Sequence, residues 1–181
     1  MNITHELYSE WLKQPSYTIL TDPDTHSLEN KNGDFYYTDD LFFTLPDPNN
    51  EYKVVIGVVL KGTVVNNASI PWFIQWLIPK EGKYNRPSGV HDDGYKRGGI
   101  LIVVEIGVVK AGLVVIRQED IEFMYNTYLH KMKQQQLDYL YRKLMEGRCV
   151  DAWNRNFQYA GLRLGGWYTW NKYRKKDGVH K

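Results

Sequence analysis

The chain has 181 residues and a formal net charge of +2 at pH 7, so charge alone indicates neither a nucleic-acid nor a membrane partner. Hydrophobic residues make up 43% and charged residues 24% of it, a composition typical of a soluble globular protein that buries a real core. The single cysteine, Cys149, excludes an intrachain disulfide and a cysteine-based zinc cluster, and its apolar helical surroundings predict a core position. We therefore predict one domain over residues 1–181.

The sequence predicts neither a signal peptide nor a transmembrane segment. The first residues, "MNITHELYSEW", lack the basic region and the following apolar run of a signal peptide. The most apolar window, residues 100–116, is too short to cross a bilayer as a helix, and Glu105 and Lys110 interrupt it.

Residues 1–65 are predicted to be mainly β. Val, Ile, Tyr, Phe and Thr are frequent in "SYTIL", "DFYYTDDLFFTL" and "EYKVVIGVVLKGTVV", and Asp, Asn, Pro and Gly separate these stretches. The segment "LPDPNNEY" is typical of a turn between two antiparallel strands. After the strands, Pro71 can open a short helix that Pro79 closes.

A second helix is predicted to start at Pro87 and Ser88 and to carry His91 and Tyr95. "RGG" at 97–99 ends it, because glycine tolerates the left-handed conformation of a helix C-cap. The apolar residues 100–116 then predict a β-hairpin that turns near "VVKAG".

The rest of the chain is predicted to be helical, with a basic, solvated tail over 171–181. Apolar residues recur at helical spacing in "RQEDIEFMYNTYLHKM", in "QLDYLYRKLMEG", which Gly147 ends, and in "CVDAWNRNFQYAGLRLGG". The predicted class is α+β: N-terminal antiparallel strands, then a motif-bearing helical part over 66–170 with an inserted β-hairpin near 100–116.

The candidate chemistry lies around His91. On a helix His91 and Tyr95 share a face, whereas Asp92 points about a quarter-turn away and can serve a different partner. A neutral histidine can take a proton from water while Asp92 holds a hard cation, such as calcium, that stabilises a developing oxyanion. The alternative is a histidine–carboxylate network that only holds the fold.

A histidine base also needs a carboxylate on its other ring nitrogen, and Asp120 is the predicted partner. Asp120 is expected in the first turn of the next helix, which could return antiparallel to the first. An acid in the first turn of a helix also has a structural explanation, because the helix dipole favours it there.

Other polar residues have two interpretations as well. Asn66 and Ser69 in "NNASIP" could line a cleft, or could cap the helix that follows. Asp93, with Lys96 and Arg97 nearby, is predicted to be a solvated charge.

Several motifs occur together in the order of a phage and prophage family of unknown function. They are "NNASIPWFIQWLIP", "GKY", "VHDDGY", "RQEDIEFMYNTYL" and "YAGLRLGGWYTWNK", within residues 58–170. The resemblance marks Ser69, His91, Asp92, Tyr95 and Asp120, and implies a closing Tyr-x-x-x-Arg-x-x-Gly segment. Where the family pattern has Thr-Asp before Ala-Ser-Ile-Pro, this chain has Val-Asn at 65–66, so a carboxylate is replaced by an amide.

The motif His-Asp-x-x-Tyr also resembles that of phospholipase A2. That resemblance implies a histidine base, a calcium-binding neighbour and an aspartate on an antiparallel helix, matched in order by His91, Asp92 and Asp120. The disulfides of the secreted forms are absent, and no clear glycine-rich calcium loop precedes the motif.

These observations leave two functional hypotheses. In the first, the chain is a bacteriophage virion or infection accessory protein, tail-associated, with a metal-assisted ester hydrolase site that acts on a lipid or another ester. In the second, it is a non-catalytic virion structural or adaptor protein. Both predict other virion proteins as partners, location in the virion or the host cytoplasm, and no nucleic acid, because only the tail is basic.

Overall fold

A computed structural model describes residues 5–21, 28–31, 34–65, 85–108 and 123–176. Among these residues, the N-terminal half contains one short helix followed by strands. These elements are α1 (His5–Trp11), β1 (Leu28–Lys31), β2 (Asp34–Tyr37), β3 (Leu41–Asp47), β4 (Asn50–Val59) and β5 (Val64–Val65).

The described residues from 85 onward form three longer helices and a pair of strands. These elements are α2 (Asn85–Arg97), β6 (Gly99–Val108), β7 (Phe123–Lys131), α3 (Gln134–Gly147) and α4 (Ala152–Lys176). The α+β class is confirmed, with antiparallel strands first and helices later. The predicted second helix is α2, and its glycine stop is confirmed because Gly98 has a φ of 72°, in the left-handed region.

The larger sheet is antiparallel, with the strand order β3-β4-β6-β7, and β1, β2 and β5 form a second, smaller sheet. Alternate residues of the larger sheet point to opposite faces, and both faces are covered. Phe43 and Ile102 pack with Leu137 of α3 on one face, whereas Phe42 packs with Trp11 of α1 on the other. The helical layer that carries His91 therefore lies on one face of this sheet only.

The prediction of a helix over 117–132 is wrong for residues 123–131, which form β7. This strand pairs with β6 from Gly99↔Lys131 to Val108↔Phe123. The stretch is rich in Phe, Tyr and Thr, which favour strands, and β6 offers it an apolar neighbour. Tertiary pairing thus outweighs the helical spacing of the apolar residues. β6 starts where the predicted hairpin starts, but the predicted turn and second strand fall mostly in 109–122, outside the described residues.

The remaining local predictions have mixed outcomes. α3 ends at Gly147 as predicted, and α4 begins as predicted but continues to Lys176. The tail predicted as solvated from 171 is therefore helical through 176, and Arg174 within it is buried. Cys149 is exposed rather than in the core, because it lies in the turn between α3 and α4 with a φ of 54°. "SYTIL" contributes an isolated bridge between Ile19 and Phe43 instead of a strand.

Candidate active site

Three helices meet at the candidate site. Ser88 contacts Tyr141 and His91 contacts Asp138, so α3 runs antiparallel to α2. The absence of a side chain at Gly94 allows this approach, since a Cβ there would lie 2.7 Å from Cδ2 of Leu137. The order of contacts also makes α4 antiparallel to α3, and α4 delivers its own polar groups to the same point.

Asp138 is the centre of the site and is fully buried. His91 Nε2 lies 3.2 Å from its Oδ1, and the Tyr95 hydroxyl donates to the same oxygen at 2.6 Å. Arg163 of α4 donates from Nη1 to Oδ2 at 3.4 Å. These donors hold the carboxylate in one orientation, with Oδ1 placed to accept a hydrogen bond from a proton on Nε2 of His91.

The opposite edge of the His91 ring faces Asp92. His91 Nδ1 lies 3.8 Å from Asp92 Oδ1, too far for a direct hydrogen bond but close enough for one water to bond to both atoms. The side chain of Asp92 is 16% exposed against 7% for His91, so Asp92 is the more accessible of the two. The histidine therefore has one edge fixed by a buried acid and one edge directed toward a partly buried acid.

The environment shifts the pKa of both His91 and Tyr95. Burial lowers the pKa of His91, but the hydrogen bond to Asp138 and the negative charges of Asp138 and Asp92 together outweigh burial, and the net effect raises this pKa above its ordinary value. Burial, reinforced by Asp138, raises the pKa of Tyr95 strongly. The Tyr95 hydroxyl consequently keeps its proton and serves as a donor to Asp138.

Aromatic rings and a second polar chain hold the histidine in place. The His91 ring centre lies 4.1 Å from that of Tyr95 and 5.2 Å from that of Tyr141. The Tyr141 hydroxyl donates to Oε1 of Gln158 and also contacts Oγ of Ser88 at 3.2 Å. The ring is thus packed on two sides by groups that are themselves held by hydrogen bonds, which restricts its rotation.

Sequence reasoning placed His91 and Tyr95 on one face of a helix, where their ring centres lie 4.1 Å apart, but did not find Asp138. The sequence indicates Asp138 only weakly. Asp138 follows Leu137 and precedes Tyr141 by three residues, so it lies on the flank of the apolar stripe that faces the core. Asp120, Asn66 and Ser69 lie outside the described residues, so their predicted roles stay predictions.

The sequence indicates Arg163 more clearly, because this residue belongs to the segment Tyr-x-x-x-Arg-x-x-Gly. In this chain the segment is Tyr159 to Gly166, and both of its later members serve the site. Arg163 bonds to Asp138, and a Cβ at Gly166 would lie 2.6 Å from the Tyr95 hydroxyl. The spacing places the arginine and the glycine one helix turn apart, on the side of α4 that meets α2 and α3.

The prediction that Asp93 is a solvated charge is wrong. Asp93 is 3% exposed rather than solvated, and Arg97 donates from Nε to both of its oxygens at 2.8 Å. Burial raises the pKa of this carboxyl, against the opposing effect of Arg97. Asp93 lies two residues from His91 on the helix and takes no part in the bonds to Asp138, so we assign it to the packing of α2.

The described residues give limited support for a cation site. Among them, no group of three or more His, Cys, Asp or Glu side chains is placed to hold a metal ion. Asp92, the predicted cation ligand, lies within the described residues. Any further ligands would have to come from outside the described ranges. In the same part of the chain no helix is long and apolar enough to cross a membrane.

Fold and site together define an α+β protein with a buried Asp–His pair on two antiparallel helices. The model of a family described as "Protein of unknown function (DUF1353)" matches residues 47–162. The chain belongs to this family, and the match includes the three segments that supply His91, Asp138 and the start of α4. No curated protein and no solved structure matches the chain.

Proposed function

We propose that the protein is an ester hydrolase in which His91 is the general base and Asp138 orients it. The observation that carries this proposal is the arrangement of the His91 ring. Nε2 is directed to buried Asp138 while Nδ1 faces the more exposed Asp92 across a gap of 3.8 Å. A base must present one nitrogen to water and hold its proton on the other, and this arrangement supports both.

The proton steps follow from the ring. Nδ1 of His91 takes a proton from a water held between it and Asp92, and the resulting hydroxide attacks the ester carbonyl carbon. The imidazolium is stabilised by the negative charge of Asp138, which Tyr95 and Arg163 hold in position by hydrogen bonds. When the tetrahedral intermediate collapses, the C–O bond of the ester breaks and the leaving alkoxide takes the proton back from Nδ1. An acid and an alcohol are released and His91 is neutral again.

Asp92 is the described residue that would hold a cation beside this water. Carboxylate oxygens suit hard cations such as calcium, and a bound cation would supply positive charge for the developing oxyanion. We propose Asn66 and Ser69 as further groups at this cleft on the basis of the motif alone.

The likeness to phospholipase A2 supports the proposal, with Asp138 rather than Asp120 as the carboxylate partner of His91. In the resembled motif an aspartate on an antiparallel helix supports the histidine, and here Asp138 of α3 contacts His91 and also accepts a hydrogen bond from Tyr95. The resemblance to the phage and prophage family supports a bacteriophage virion or infection role, tail-associated, with other virion proteins as partners. A lipid or another ester is the proposed substrate.

The test is hydrolysis of a short-chain, water-soluble nitrophenyl ester by the purified chain, with calcium and with chelator. His91→Ala should lower kcat/KM by about 10²–10⁴-fold, because general-base catalysis contributes about that much. His130→Ala, on β7, is the matched control and should leave the rate unchanged. Undiminished hydrolysis by the His91 variant would overturn the assignment.

The burial of the network favours a second candidate, a non-catalytic structural or adaptor protein. His91 is 6% exposed and Asp138 is fully buried, as expected for groups that hold a fold. On this alternative His91→Ala lowers the free energy of unfolding by about 1–3 kcal/mol, because Asp138 loses a donor, and the parent shows no hydrolysis. Thermal unfolding at parental temperature would contradict the structural role.

A further inference from the structure

The exposed face of α4 combines positive charge with large aromatic side chains. The sequence of α4 contains no Asp or Glu and six basic residues. Arg174 is buried and Arg163 is paired with Asp138, whereas Lys172, Lys175 and Lys176 are exposed. The whole chain has a net charge of only +2, so the remainder of the chain is net negative. Positive charge is therefore concentrated on this helix.

The aromatic residues of α4 lie where solvent reaches them. Trp153, Trp167 and Tyr168 are 55%, 56% and 67% exposed. Trp153, Ala160 and Trp167 are seven residues apart in turn, which places them along one line of the helix. The exposed Lys172 and Lys175 follow Tyr168 at helical spacing. We call the surface formed by Trp153, Ala160, Arg163, Trp167, Tyr168, Lys172 and Lys175 the α4 face.

The α4 face is connected to the candidate active site through Arg163. This residue lies between Ala160 and Trp167 at helical spacing, and its side chain is 40% exposed. The same side chain reaches Oδ2 of Asp138 at 3.4 Å. Whatever docks on the α4 face therefore lies next to a group of the site.

We propose that the α4 face docks on the surface of an anionic phospholipid bilayer. Trp and Tyr prefer the boundary between lipid headgroups and acyl chains, and Lys and Arg bind the headgroup phosphates.

A nucleic acid is the competing anionic partner, but one side of the Trp153 indole is already covered by Phe157, stacked at 5.1 Å and 9°. Such packing suits an interfacial anchor better than a platform for stacking bases. Docking does not require hydrolysis and stands independently of the proposed base.

Binding is tested by co-sedimentation of the full chain with vesicles of phosphatidylglycerol and phosphatidylcholine, and with vesicles of phosphatidylcholine alone. We expect binding to the anionic vesicles that weakens as salt is raised. The double variant Trp167→Ala/Tyr168→Ala should weaken it about tenfold or more. Tyr52→Ala, at an aromatic residue of β4 that is 91% exposed, is the matched control and should bind like the parent.

Three results would overturn the proposal. They are absence of vesicle binding, equal binding to neutral and anionic vesicles, and binding to a single-stranded oligonucleotide without binding to vesicles. The variant His91→Ala separates membrane docking from the proposed hydrolase activity. If this variant loses ester hydrolysis but binds vesicles like the parent, both proposals are supported. A chain that binds vesicles but shows no hydrolysis supports docking and removes only the enzyme.

Discussion

Asp138 shows how much a single residue decides in this protein. Its two oxygens receive donors from two other helices, from His91 and Tyr95 of α2 and from Arg163 of α4. A buried carboxylate is costly unless it is paired, and here its partners also fix the orientation of the candidate base. Stability and the proposed chemistry therefore depend on the same side chain.

The first prediction at this scale concerns pH. Because the folded protein raises the pKa of His91, it favours the protonated ring, and this contribution to stability is complete below the unfolded value of about 6.5. It is lost as pH rises through the higher folded pKa. The loss of unfolding free energy caused by His91→Ala should therefore shrink with increasing pH above about 6.5, as measured by denaturant titration.

The same shift predicts the pH profile of hydrolysis. A general base works in its neutral form, so the acid limb of kcat/KM should have its midpoint above the ordinary histidine value. Asp138→Asn removes a negative charge next to His91 and should move this midpoint to lower pH. A midpoint that does not respond to Asp138→Asn would show that another group controls the rate.

Tyr95→Phe tests the second donor to Asp138. The Tyr95 hydroxyl bonds to the carboxylate at 2.6 Å in a buried position, and a hydrogen bond to a charged group contributes about 1.5–3 kcal/mol. We expect the free energy of unfolding to fall by about that amount. The exposed Tyr52→Phe should be neutral, and an equally neutral Tyr95→Phe would remove Tyr95 from the network.

At the scale of elements, α4 is attached to the end of α2 by Arg174. Its guanidinium donates from Nη2 to the carbonyl oxygens of Tyr95 and Lys96 at 2.9 and 2.7 Å, and it packs over the Trp170 ring. The last carbonyls of a helix lack intrahelical donors, so this cation satisfies groups that would otherwise need water. The position next to it is Gly98, where a Cβ would lie 1.7 Å from Nη1.

Arg174→Ala should therefore be clearly destabilising. It removes two charge-assisted hydrogen bonds from a buried position, and we expect a loss of about 2–4 kcal/mol in unfolding free energy. Lys175→Ala changes the exposed neighbour and should stay within about 0.5 kcal/mol of the parent. Similar unfolding curves for the two variants would show that α4 does not hold α2.

At the scale of the whole molecule, the larger sheet separates two apolar layers. The side that carries α2, α3 and α4 includes Tyr95 and Leu137, whereas the other side includes Trp11 and Phe42 with their rings 5.0 Å apart. The candidate site belongs to the first layer alone.

Trp11→Ala tests this separation. Removal of a buried tryptophan should cost about 3–5 kcal/mol of unfolding free energy, while the pKa of His91, followed by NMR, should stay unchanged because the sheet lies between them. Trp153→Ala, at an exposed tryptophan, is the control for stability. A shift in the pKa of His91 caused by Trp11→Ala would show that the two layers are coupled.

The sequence by itself determined the features that depend on neighbouring residues. Hydrophobic periodicity and turn residues predicted the strands of 34–65 and the helices α2 and α3, and spacing placed His91 and Tyr95 on one face. Local propensity acts within a few residues, so these features need no knowledge of distant contacts.

Only the tertiary structure decided the rest. β7 is a strand because β6 pairs with it, Arg174 is buried because the end of α2 accepts its hydrogen bonds, and Asp138 serves His91 from 47 residues away. Each of these outcomes depends on which elements pack together, and the free energy of burial and pairing is then larger than the local preference.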